Sequence, residues 1–224
     1  QDYDQAALTF VINHSKAHQN ISTEFHRENG PMALVPMPGN QCSVVWVESR
    51  ENAEALIRLK KHEFEQMFQD KTHNVLGGVT LETGIESWPL CSIKAKTLIA
   101  ARMALAAEAA HVMSPITAQG LNLSLRDVAT LAEEILDAAR LGQDIGSDAV
   151  LWRYASRRNA DIETRVFGVD AMNKIVSSDV LALKRLRRAG LKSLDALPFT
   201  KNLAMHIGLA PQLDQGRLLK GKAL

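Results

Sequence analysis

The hydrophobic pattern of this chain changes period near its middle, and that change sets the fold class. Residues 6–13 alternate apolar and polar side chains rich in β-branched and aromatic types, as a half-buried strand requires. Residues 31–38 and 41–48 are two apolar runs joined at Pro38-Gly39-Asn40, a hairpin signal. Ser49 then reads as a helix N-cap, with Glu51 and Glu54 placed to favour the helix dipole. One helix is expected from there to Gln69, burying Ala53, Leu56, Ile57, Phe64 and Phe68. Further strands are expected over 77–83 and 87–96, with Gly84 turning between them. Residues 98–111 are ambiguous: their alanines favour helix, their apolar density a buried strand. We assign strand to 98–106.

Beyond that point the period is helical. Leu121, Leu125, Val128, Leu131, Ala132, Ile135, Leu136 and Ala139 fall on one face of a helix over 121–141, which Gly142 ends. A second long helix is expected over 148–173, its charged stretch 153–165 forming a solvated face with ion pairs. A third starts at Ser177 or Ser178 and ends near Gly190, and a fourth covers 194–208. The expected class is therefore α+β: a mixed β-sheet domain over 1–106 with one crossing helix, then a bundle of C-terminal helices over 107–224.

Composition excludes several functions. An apolar share of 46% is ample for one large domain or two small ones, and a net charge of +1 gives nucleic-acid binding no support. Cys42 and Cys91 have neither zinc spacing nor the count of a disulfide framework. Both read as small buried hydrophobes in a reduced cytosolic compartment, and no metal site is expected. No run is apolar enough to span a bilayer. Gln1-Asp2-Tyr3 is not a translation start, so the chain reads as a piece of something longer.

Residues 107–127 carry the chemistry. Pro115 to Asn122 is a loop entering a helix at a glycine. A helix start offers unpaired N–H groups and partial positive charge, suited to an anion or an electron-rich ring. Gly120 lets backbone approach a flat ligand, and Gln119 and Asn122 add hydrogen-bonding groups. Glu108 could accept bonds from sugar-like hydroxyls. The alternative is a plain helix start after a proline turn, which the local pattern alone favours.

A resemblance changes that balance. Ala109-Ala110-His111, Pro115-Ile116, Gln119-Gly120-Leu121-Asn122-Leu123 and Leu125-Arg126-Asp127 resemble the second flavin motif of FAD-dependent aromatic-ring hydroxylases, in particular the ubiquinone-biosynthesis hydroxylase branch. Glu24-Phe25, Gly30-Pro31, Leu34-Val35-Pro36-Met37 and Ser43-Val44-Val45-Trp46 resemble that branch's paired strands, and Trp88-Pro89-Leu90 a further one. Arg153-Tyr154 with Arg157-Arg158, and Leu186-Arg187 with Gly190-Leu191, resemble its helical segments. The likeness covers nearly the whole chain.

The resemblance implies a sheet-built substrate domain and an FAD-binding domain. It places Glu108 on the ribityl hydroxyls, Gln119, Gly120, Leu121 and Asn122 at the flavin's pyrimidine edge, and Pro115 by its reactive face. It names no catalytic residue. The chemistry implied is oxygen-dependent hydroxylation of an aromatic ring, with NAD(P)H or another reductant as donor. Implied partners are a prenylated phenol or quinone precursor and other ubiquinone-pathway proteins. Oligomer formation stays open, as does peripheral contact with the inner face of the membrane through the basic cluster Lys184, Arg185, Arg187, Arg188 and Lys192, which otherwise reads as a solvated face. His111 reads as a structural hydrogen-bonding group, Arg126 and Asp127 as a local ion pair or cap, and Trp46 and Trp88 as core or sheet-face residues.

Two departures bear on activity. The family's Gly-x-Gly-x-x-Gly unit, which grips the FAD pyrophosphate, is not among these residues. Its Gly-Asp pair stands here as Ala107-Glu108. The chain alone is therefore expected to bind FAD poorly and not to turn over. The alternative is a non-catalytic binding or scaffold subunit for a prenylated quinone intermediate.

Overall fold

The computed structural model describes residues 2–27, 29–114, 119–176 and 216–223, with the single positions 190, 199 and 202. The chain forms two compact units, Gln1–Cys91 with Val176–Ser178, and Ser92–Ile175 with Asp179–Leu224. The class is α+β, as the change of period implies. The third and fourth expected helices, and the basic cluster on the third, lie almost wholly outside the described residues.

The first unit is a sheet covered by helices. Its strands β1 (Asp2–His14), β2 (Thr23–Arg27), β3 (Gly30–Met37), β4 (Gln41–Ser49) and β5 (Val79–Leu81) lie in the order β2-β3-β4-β1-β5, and β6 (Glu86–Cys91) also pairs with β1. Every described pairing is antiparallel, so the expected mixed sheet is antiparallel where it is seen. The β3–β4 hairpin turns at Pro38-Gly39-Asn40, where Gly39 takes φ +76, a value side chains disfavour. Register sets Leu8 opposite Trp46, Phe10 opposite Val44, and Met32 opposite Trp46. These residues therefore share one face, and that face makes the core.

Helices α1 (Arg50–Ile57) and α2 (Lys61–Lys71) close this core. Ser49 caps α1 as expected, its Oγ accepting from the Asn52 N–H at 3.3 Å. The single helix expected to Gln69 is instead two. Lys60 is extended (φ −65, ψ 147), and the Glu63 carboxylate accepts from its N–H at 3.1 Å, so the sequence caps a new start there. Ala53, Phe64 and Phe68 are buried as expected and Leu56 is partly so, but Ile57, next to the break, is 39% exposed. Phe10 meets Phe64 and Phe68 edge-on, with centroids 5.2 and 5.4 Å away.

The second unit begins earlier than the expected boundary after Ala106. The run 87–96 splits: β6 stays with the sheet, while β7 (Ile93–Lys94) pairs with β10 (His111–Val112). The strand expected over 98–106 is a small hairpin of β8 (Ile99–Ala100) and β9 (Met103–Ala104). A 3-10 turn, Ala107–Ala109, leads back toward α3 (Gly120–Arg140) and α4 (Asp148–Val176). Leu98, Ala110, Leu123, Tyr154, Ala155 and Ile162 form this unit's apolar core. Gly142, at φ +66, ends α3 as expected.

The buried face of α3 is not the one its apolar periodicity selects. Leu121 is 71% exposed, and Leu125 and Val128 are each 54% exposed. Arg126, Asp127, Thr130, Glu133 and Glu134 are buried. The reason lies on α4, whose arginines meet those carboxylates: Arg153 and Arg157 pair with Glu134, and Arg157 also with Glu133. The charged stretch 153–165 thus makes the expected ion pairs, but Arg158 and Asp161 are buried rather than solvated. Cys42 is buried, whereas Cys91 is only half-buried, and both are free thiols. Among the described residues no helix is long and apolar enough to cross a membrane.

Candidate functional site

In the second unit the 3-10 turn and the start of α3 enclose a cleft of about 460 Å³. Glu108, Gly120 and Leu121, three residues singled out from sequence, line it together. Val112 and Met113 supply apolar wall, and Ser124 stands one turn along from Gly120. Ser124 was not anticipated; its i+4 spacing from Gly120 was the available signal. Asn122 sits exposed in the first turn of α3. Pro115 lies outside the described residues.

The start of α3 has no side-chain cap: Gln119 makes no capping bond, and its Oε1 accepts from Arg165 Nη1 instead. Gly120 faces open space, since a Cβ built there would meet no atom within 4 Å. A flat ligand edge therefore has free approach to a helix end of partial positive charge. Glu108 stands exposed across the cleft, a carboxylate that can accept from hydroxyls. Apolar wall, open helix start and one carboxylate suit an uncharged ring bearing a polyhydroxyl tail. These residues fit the isoalloxazine and ribityl part of FAD.

A buried ionic network holds both lips of this cleft. Asp127, with 0% side-chain exposure, accepts from the Ala107 N–H at 2.9 Å, from His111 Nε2–H at 2.7 Å, and from Arg158 Nε–H at 2.7 Å. Arg158 Nη1 donates to Asp161 at 2.8 Å, and Arg165 Nε to Asp161 at 2.9 Å. Through Arg165 the network reaches Gln119, so the turn at Ala107 and the start of α3 hang on one chain of charge-assisted bonds. Burial pulls the Asp127 carboxyl upward, but the bonds from His111, Arg158 and Ala107 outweigh it, and the group titrates below the usual carboxylate range. Asp161 follows the same pattern, with Arg158 and Arg165 outweighing its burial. Burial pushes the Tyr154 phenol up; its hydroxyl donates to the Leu105 carbonyl at 2.7 Å.

His111 has the structural hydrogen-bonding role expected of it. Arg126 and Asp127 do not form the expected local pair or cap: both are buried and bonded to residues far along the chain, which no local spacing encodes. Ala107 takes φ +58, where an alanine is strained by roughly 1 kcal/mol. That is the position at which the resembling family carries glycine, and its bond to Asp127 holds it there. Trp46 lies in the core as expected, while Trp88 is 56% exposed on its strand and donates to Thr9 Oγ1. Among the described residues no group of three or more His, Cys, Asp or Glu side chains could hold a metal ion.

Comparison with known proteins accords with this geometry. Ubiquinone hydroxylase UbiL of Rhodospirillum rubrum is 32% identical over 227 aligned positions, covering 99% of this chain and 52% of that protein. The chain spans about half the length of the curated relatives it matches. Among solved structures, PqsL of Pseudomonas aeruginosa superposes with a TM-score of 0.69 at 20% identity, over 86% of this chain and 52% of that one. HpxO of Klebsiella pneumoniae, complexed with FAD and uric acid, superposes with a TM-score of 0.66 at 16% identity, over 85% and 49%. Both carry the same fold. The model of the FAD binding domain family matches residues 5–166, from β1 into α4, and this chain belongs to that family of FAD-dependent monooxygenases.

Proposed function

We propose that this chain forms the substrate-domain and flavin-edge part of an FAD-dependent monooxygenase that hydroxylates an aromatic ring in ubiquinone biosynthesis, with NAD(P)H or another reductant as electron source. The observation that carries the reading is alignment of almost the entire chain with a ubiquinone hydroxylase, together with a cleft that gathers Glu108, Gly120 and Leu121. Bound FAD would supply the oxygen chemistry. Glu108 would accept from the ribityl hydroxyls, and Gly120, Leu121 and Asn122 would present backbone to the pyrimidine edge, with Gln119 held beside them by Arg165. The positive end of α3 would stabilise negative charge on the reduced ring. Pro115 is assigned to the ring's reactive face on the resemblance alone. Residues 1–106 act as the substrate-binding sheet domain and 107–224 as part of the FAD-binding domain. The substrate is a prenylated phenol or quinone precursor, and the setting is the cytoplasm, at the inner face of the membrane where such substrates partition.

On this reading the 224 residues alone neither hold FAD tightly nor turn over. The test is to purify both the full native reading frame and the 224-residue chain, then measure bound flavin and oxygen-dependent hydroxylation of prenylated phenols. Flavin and product are expected from the former only. A native protein that holds no flavin yet binds a prenylated quinone would replace this reading with a scaffold role, and a yellow 224-residue chain would refute its incompetence.

A further inference from the structure

The first unit contains a second cleft, on the helix-covered side of its sheet, that the proposed chemistry does not use. It measures about 310 Å³, the low end of the range of roughly 300–1,000 Å³ typical of small-ligand clefts. Ala55, Leu56 and Leu59 of α1 and its exit form an apolar wall, with Trp46 of β4 opposite.

Its polar groups are out of balance. Glu48, only 8% exposed, is already engaged: Asn29 Nδ2 donates to both its oxygens at 3.0 and 3.1 Å, and Asn52 Nδ2 donates at 3.3 Å. The donors are not. Among the described residues three buried side-chain polar atoms lack a partner, and two of them, Trp46 Nε1 and Arg27 Nε, belong to this corner. Arg27 is fixed there by its other end, Nη2 donating to the Lys71 carbonyl. Lys71 lines the cleft and holds its ammonium 5.8 Å from the centre of the Trp46 ring. Two cations and one saturated carboxylate leave a net positive corner, with unmet N–H groups beside apolar wall. A buried donor without an acceptor costs about 1–3 kcal/mol, and an anionic acceptor relieves it best.

We propose that this cleft binds a small aromatic carboxylate, its ring between Trp46 and Leu56 and its carboxylate toward Lys71, Trp46 Nε1 and Arg27. The site is separate from the cleft at Gly120, and its occupancy would brace α1 and α2 against the sheet.

The test is calorimetric titration of the 224-residue chain with 2-naphthoate and with its neutral counterpart 2-naphthalenemethanol. The acid is expected to bind about tenfold more tightly than the alcohol, because only it offers a charged acceptor. Lys71→Gln, at an exposed position, is expected to weaken the acid about fivefold and leave the alcohol unchanged. Trp46→Phe is expected to weaken it about tenfold, and Ala55→Trp, which fills the cleft from the helix surface, to abolish binding. Equal binding of the two probes would overturn the proposal. So would no detectable binding of the acid at millimolar concentration, or full retention in Lys71→Gln and Ala55→Trp.

Discussion

The two units are held together by opposite kinds of core. In the first, Leu8, Phe10, Met32, Val44 and Trp46 on one sheet face meet Phe64 and Phe68, and the interior is almost wholly apolar. In the second, an apolar cluster around Leu98, Leu123 and Tyr154 lies beside a buried network of Asp127, Arg158, Asp161 and Arg126. The apolar core needs only volume and pattern, and tolerates exchange of similar side chains. The ionic one gains little net stability from being charged, but it fixes geometry, because each buried charge must find its partner. That geometry is spent on the flavin-side cleft: Asp127 holds the turn at Ala107 and, through Arg158, Asp161 and Arg165, the start of α3.

The sharpest way to break this contrast is to delete one member from each core. Asp127→Ala strands Arg158, His111 and the Ala107 N–H and is expected to cost about 3–5 kcal/mol. Phe64→Ala leaves a cavity and costs about the same. Denaturant melts of the two variants check the sizes; flavin retention in the native protein separates them, since only Asp127→Ala loosens the cleft. A cost below about 1 kcal/mol for Asp127→Ala would mean the network is not structural.

Acid is expected to part the units next. Asp127 and Asp161 titrate below the usual carboxylate range when folded, so the stability they contribute is complete above the unfolded value of roughly 3.9 and is lost as pH falls through their lower folded values. Hydrogen exchange on acidification should show α3 and α4 opening while β1 and β4 stay protected. Simultaneous opening of all four would contradict it. The smallest effect is expected at the cleft lip, where Ala107→Gly removes the left-handed strain at φ +58 and should raise stability by roughly 0.5–1 kcal/mol. An unchanged or lowered melting point would show that the strain is not there.

Much of the first unit is legible along the chain. Alternation placed β1, β3 and β4, the turn residues placed their hairpin, and Ser49 announced α1. The break at Lys60 was readable only in hindsight, through Glu63 three residues on. In the second unit the flavin-side residues were found by resemblance rather than by pattern: the spacing of Glu108 and Gly120 carries no local signal, and the cleft exists because a turn and a helix start meet in space. Ser124 was reachable from helical spacing. The bonds from Asp127 to Ala107 and to Arg158 were not, since they join residues 20 and 31 positions apart.

The sequence by itself determined that α3 is a helix, where it ends, and that it carries an apolar and a charged face, because backbone periodicity and the glycine at 142 are local properties. Which face goes inside was decided only by tertiary structure. Local pattern points Leu121, Leu125 and Val128 inward, since burial of apolar surface is the default driving force. The arginines of α4 reverse it: once Arg153, Arg157 and Arg158 lie alongside, the carboxylates of α3 are the side chains with partners, and a partnered charge can be buried where an unpartnered one cannot.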